Sequence, residues 1–227
     1  MVDWEKIWRG SGIGAALFFI VAYIFYGSQP KVGAATDEIV SHYDGDSMRI
    51  LIATVIVGFG ILNLTWFAAA LTSVLRDAGK GGWGTAASSA AAAIAAVYFV
   101  LITLRAGLAY SIAGSGNSEV ISGLNDLIWV LTSLFWFPVA MLIMAGSFGL
   151  HRAGLFSNRS FGAGVTAMVL VLLATTTWAS DGFWAVDGTY ARFVPTTVML
   201  VWIAVVSGFL VRRYSAVSTP ERAPVPA

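Results

Sequence analysis

The stretch ILIATVIVGFGILNLTWFAAALTSVLRDAGKGGWGTAASSAAAAIAAVYFVLITLRAGLAYSI, residues 50–112, decides the fold. It holds two long apolar runs, about 50–74 and 86–112, on either side of a turn that carries Arg76, Asp77, Lys80 and several glycines. A bilayer core about 30 Å thick needs roughly 20 apolar residues in a helix that crosses it. Both runs meet that length, so the stretch reads as two transmembrane helices joined by a basic turn. The second run opens with AASSAAAAIAA (86–96). Small residues let helix backbones approach closely, which predicts a central, protein-facing helix.

Four more segments of the same kind lie outward from this pair, at about 11–28, 127–149, 161–180 and 195–211. Each is bounded by charge or by Gly, Asp, Asn or Pro turn chemistry. The composition agrees: of 227 residues, 58% are hydrophobic and 11% charged, with a mean hydropathy of +0.79. A soluble domain carries about a quarter charged residues. The expected fold is therefore all-α, a polytopic bundle of six transmembrane helices over residues 1–214. A polar, Pro-rich tail at 215–227 cannot form a core and is expected to be disordered. The segment at 11–28 follows a basic start, and it is read as a retained helix rather than a cleaved signal.

Orientation follows from Lys and Arg near the helix ends. One side receives nine of the 13 basic residues: Lys6, Arg9, Arg76, Lys80, Arg152, Arg159, Arg212, Arg213 and Arg222. The other receives Lys31, Arg49 and Arg192, with Arg105 at its edge, and eight of the 12 acids. Both termini are thus expected in the cytoplasm. Three Lys against ten Arg, with abundant Ala, suits a GC-rich bacterial genome and a multi-pass protein of the bacterial plasma membrane. A net charge of +1 gives no reason to expect a nucleic-acid partner, and the absence of cysteine removes disulfides and thiolate metal sites.

One motif needs a decision. DGTYAR, residues 187–192, matches the middle of the sequence by which one class of membrane enzymes transfers a head group from a CDP-alcohol. That chemistry needs further carboxylates to hold metal ions. Trp184, Val205 and Phe209 stand where three of the four acids belong, and Val201 replaces the motif's glycine. The match is accidental. Asp44-Gly45, Asp181-Gly182 and Asp187-Gly188 all read as tight outer turns, because Asp accepts backbone hydrogen bonds and Gly supplies positive φ. Asp44 and Asp46 lack the distal ligands of a calcium loop.

Other chemistries fail on placement. The three lysines (Lys6, Lys31, Lys80) lie outside the helices, so no retinal Schiff base is expected. His42 and His151 fall at opposite faces and cannot share a haem iron. Ser147, in AGSFG, has only His151 nearby, and His151 reads as an interfacial residue at a helix end. No catalytic residue, metal site or cofactor is expected, and the chain is read as a non-enzyme.

The polar groups inside the spans are the remaining candidates for a site. Asn63, near mid-membrane, must find a hydrogen-bond partner, either another helix or a ligand. Pro138 should kink its helix, and the neighbouring Phe135, Trp136 and Phe137 either line a cavity or pack outward. Arg105, about 19 residues into its helix, lies near the outer edge of the core, where snorkelling lowers the cost of charge. Asp126, in the first turn of the next helix, is its expected ion-pair partner, with Glu119 as competitor. The tentative ligand-binding set is Arg105, Asp126, Asn63 and Trp136. Trp4, Trp8, Trp178 and Trp184 fit interfacial belts.

Two patterns recur. LRDAG (75–79) and LHRAG (150–154) close two inward-running helices 75 residues apart, which suggests two parallel hairpin copies. The stretches LIMAGSFGLHRAGLFSNRSFGAG (142–164) and SMRILIATVIVGFGILNL (47–64) resemble an uncharacterised, largely actinobacterial family of six-helix integral membrane proteins. Asn158 stands where that family often has a proline before the loop arginine. The resemblance implies a fold and no activity. The expected function is binding of a small apolar or lipidic ligand, or assistance to another membrane protein. The alternative is a small transporter or channel with a polar path near Asn63 and Arg105.

Overall fold

The turn after residue 74 shows how local sequence becomes architecture. In the computed structural model, which describes residues 3–218, Lys80 N–H donates to the Leu75 carbonyl (2.7 Å) and Gly79 N–H to that of Arg76 (2.9 Å). Gly79 sits at φ +71°. This is the glycine-terminated helix end in which a left-handed residue recaptures the last free carbonyls. Seventy-five residues on the same geometry returns: Leu155 to Leu150 and Gly154 to His151, each 2.9 Å, with Gly154 at φ +70°. The two LxxAG turns are therefore one structural device used twice.

These turns join long helices. The described residues form α1 (Trp4–Arg9), α2 (Ser11–Tyr26), α3 (Thr36–Tyr43), α4 (Ser47–Asp77), α5 (Gly81–Gly107), α6 (Ser118–Arg152), α7 (Asn158–Leu173) and α8 (Thr189–Ser218). Helix α5 runs on through a π-helical turn, Leu108–Ile112, and a 3-10 turn, Ala113–Ser115. Among the described residues there is no strand, only one isolated bridge between Ala179 and Ala185. The protein is all-helical, as expected. Helices α4, α5, α6 and α8, and α7 together with the 3-10 turn Ala174–Thr176 that continues it, are each long and apolar enough to cross a membrane, whereas α2 is apolar but stops at 16 residues. At 1.5 Å per residue that is about 24 Å. Of the tail expected at 215–227, residues 215–218 prolong α8, and the rest lie outside the described residues.

Each of α4 to α8 packs on its neighbour in sequence, and α2 packs on both α4 and α8, which closes the bundle. Close approach depends on small residues. A Cβ on Gly12 would stand 2.7 Å from Phe67, 2.8 Å from Ser207 and 3.0 Å from Ile203. Gly146 meets Trp202 in the same way, and Gly84 meets Thr72. The expectation of a central α5 needs correction. Half of the apolar window of α6 is buried against a third of that of α5. Small side chains let α5 approach α4, but an alanine surface also faces lipid without penalty, so small size does not by itself place a helix centrally.

Two short helices lie outside the expected spans, α3 between the first two and α1 before the first. Helix α3 carries Asp37 and Glu38 in its first turn, which suits the helix dipole, and buries Ile39 and Tyr43. Helix α1 is capped by Asp3, whose side chain accepts from Lys6 N–H. Arg9 pairs with Glu5, stacks on Tyr214, and its carbonyl accepts from Ser207 Oγ, so α1 is tied to the end of α8.

Candidate functional site

Three aromatic residues spaced along α5 and α6 build the floor of a cavity. Tyr98 stacks on Phe19 (centroids 5.2 Å) and meets Phe135 edge-on (4.8 Å), and Phe135 leans on Trp136 (5.1 Å). Such rings bring large apolar area with little freedom to lose. Seven residues away along each helix, forward on α2 and α5 and backward on α8, about two turns or 10 Å, the lining changes character. Tyr26 stands above Phe19, Arg105 above Tyr98, and Arg192 above Met199. The half-open space measures about 480 Å³, within the range of roughly 300–1,000 Å³ typical of ligand cavities. It lies between α2, α5, α6 and α8. Helices α2 and α8 meet where Gly12 lies against Ser207, and at the arginine-bearing end the exposed Tyr23 and Phe193 rings meet edge-on at 6.4 Å.

Each arginine at the cavity is held by an aromatic ring. The Arg105 guanidinium lies 5.1 Å from the centroid of Tyr26, and one of its Nη groups donates to Gln29 Oε1 at 3.0 Å. Tyr26 is itself fixed: Thr54 Oγ1 is spent on the Ile50 carbonyl, so the Tyr26 hydroxyl donates to it at 3.1 Å. The Arg192 guanidinium lies 4.9 Å from Trp129, whose indole N–H donates to the Pro30 carbonyl at 2.9 Å. Arg105 Nε and Arg192 Nε and Nη2 are buried with no hydrogen-bond partner. No acid lines the cavity.

Three acids of this end, Asp46, Asp126 and Asp187, have partners other than the cavity arginines, and the last two hold the segment after α2 across the bundle. Asp126 accepts from Gly33 N–H (3.1 Å), Asp187 from Val32 N–H (3.1 Å), and the Lys31 carbonyl accepts from Asn125 (3.0 Å). Thr36 and Ser122 share a further bond at 3.2 Å. Arg49 pairs with Asp46 at 2.6 Å. His42 on α3 is half-buried, and loss of water pushes its imidazole below its ordinary value near 6.5, although Asp46 pulls it the other way.

The expected pairing of Arg105 with Asp126 is overturned. Among the described residues the ion pairs are Arg9–Glu5 and Arg49–Asp46. A loop from far upstream lies between the two: it supplies Gln29 to Arg105 and Gly33 to Asp126. Of the four candidates, Arg105 and Trp136 come together in the cavity, while Asp126 serves the loop. Asn63 lies apart, donating to the Phe59 carbonyl of its own helix at 2.9 Å, with its oxygen against Gly14. Phe137 faces outward, exposed. Sequence reasoning missed Arg192, the last residue of DGTYAR. Its signal was a cation in the first turn of a helix, where the dipole opposes it, with Thr196 and Met199 on the same face.

Several smaller readings are settled by contacts. Of the three Asp-Gly pairs only Gly182 has positive φ, at +80°. Ser147, buried, accepts from Trp202 Nε1 at 3.0 Å, and His151 stacks on Phe161 at 4.3 Å. Trp178 and Trp184 donate to the carbonyls of Thr175 and Thr176 and so finish α7. Comparison with known protein families, characterised proteins and solved structures finds no match to this chain.

Proposed function

We propose that this protein binds a small apolar or lipidic molecule in the cavity between α2, α5, α6 and α8, as a non-enzymatic, six-span protein of a bacterial plasma membrane. In this reading α2 is the sixth span and both termini are cytoplasmic, which makes the arginine-bearing end the outer one. The observation that carries it is the cavity itself, with its aromatic floor and its half-open mouth flanked by Tyr23 and Phe193. A ligand dissolved in the outer leaflet can enter sideways there without crossing water. Membership of the actinobacterial six-helix family is part of the same proposal, supported by the stretches 47–64 and 142–164. The transport alternative draws no support from Asn63, which is absent from the cavity wall.

The test is photolabelling in nanodiscs of zwitterionic lipid with a diazirine-bearing alkyl probe, followed by peptide mapping. Label is expected on Trp136 and Met199, and Thr132→Trp, which fills the space, should abolish it there. Labelling of exposed lipid-facing residues alone, unchanged by that substitution, would overturn the proposal.

A further inference from the structure

We infer that the molecule held in this cavity is an anionic single-chain amphiphile, with its carboxylate or phosphate between Arg105 and Arg192 and its chain on the aromatic floor. This rests on the cavity being a binding site at all. Two full positive charges line a partly enclosed, largely apolar space with no acid among its walls. Three of their nitrogens, Arg105 Nε and Arg192 Nε and Nη2, are unpartnered but carry almost no accessible surface, so it is the net charge rather than these donors that an anion meets. A charge in an apolar space without a counter-ion is costly, and the nearby carboxylates Asp126 and Asp187 accept from loop backbone. The arginine forks match the geometry of carboxylate and phosphate oxygens.

The anchoring of these groups supports the same conclusion. Tyr26 and Trp129 stack on the two guanidiniums, and each ring is hydrogen-bonded in place. The cations are thus presented ready-ordered, and little freedom is left to lose on binding. Arg192 stands in the first turn of α8, so the backbone dipole there adds to the attraction for an anion. The volume, about 480 Å³, lies in the lower half of the range of roughly 300–1,000 Å³ for ligand cavities, which suits one chain with a head group.

The experiment uses the whole protein in zwitterionic nanodiscs and three photoprobes that share one alkyl chain: a carboxylate, a neutral alcohol and a quaternary ammonium. The carboxylate is expected to label the cavity about tenfold or more above the other two. Arg105→Gln and Arg192→Gln should each remove that preference while the alcohol still labels weakly, which shows that the cavity survives. Arg192→Glu should turn the preference toward the ammonium. Competition separates the sources: an unlabelled single-chain acid is expected to displace the probe and phosphatidylglycerol to fail. Displacement by phosphatidylglycerol equally well would overturn the single-chain assignment. Equal cavity labelling by all three probes, unaffected by the arginine substitutions, would refute the anion inference and leave the cavity proposal standing. No cavity labelling by any probe would defeat both.

Discussion

Gly12→Ala tests how the bundle closes. Gly12 lies where α2 meets α4 and α8, and a Cβ there would stand 2.8 Å from Ser207 Cβ as well as 2.7 Å from the Phe67 ring. The ring could swing, but Ser207 Cβ is fixed to the α8 backbone, and its hydroxyl is held by the Arg9 carbonyl at 2.7 Å. The helices must therefore separate. Overpacking of this kind costs about 1–3 kcal/mol, while Gly to Ala within a helix returns roughly 0.5–1 kcal/mol. Gly58→Ala isolates the second effect, since nothing lies within 4 Å of its would-be Cβ. The difference between the two variants cancels propensity and should be about 1–3 kcal/mol, or roughly 2–12 °C in melting temperature for a chain of this size. Thermal unfolding of both variants in one detergent is the assay. Equal melting temperatures, or a Gly12→Ala protein more stable than Gly58→Ala, would refute the close α2–α8 contact.

Three further outcomes are expected. Single cysteines at Ser41 and Ser118 should react with an impermeant thiol reagent in intact cells, and one at Asn158 only after lysis; labelling of Asn158→Cys in intact cells would invert the proposed topology. Asp187→Ala frees Val32 N–H, so hydrogen exchange should quicken at Val32 while global stability falls by only about 1 kcal/mol; unchanged exchange would contradict the strap. His42 is depressed by burial, so the unfolded chain takes up its proton first. Its contribution is therefore present above about pH 6.5 and lost as the pH falls below that value. Melting temperatures compared at about pH 7.5 and 5.5 should show a smaller acid loss in His42→Gln than in the parent protein, and an equal loss would sink this account.

Much of the architecture was readable from local sequence, because its causes are local. Helices α4 to α8 follow from apolar length, and hydrocarbon leaves backbone groups no partners but their own. The matched turns at Gly79 and Gly154 follow from leucine, a basic residue and a small-Gly pair at fixed spacing. Helix α3 was missed because eight residues of low mean hydropathy are too short and too polar to register as a span, and its place depends on burying Ile39 and Tyr43.

The site was readable only in fragments. Arg105 and Trp136 stood out as a charge and an aromatic cluster within spans, but their partners lie far away in the chain. Gln29 reaches Arg105 across 76 positions, and Pro30 fixes Trp129 across 99. A pairing rule based on neighbouring helices chose Asp126, because charge and depth were all it could weigh. The partner of a charge in a low-dielectric interior is set by distances of a few ångströms. Those distances were decided by the loop after α2 lying across α6, and by the packing of α2 on α8 at Gly12. The sequence alone determined that the chain is helical and apolar enough for a membrane. Only tertiary packing decided that two of its few charges face one cavity.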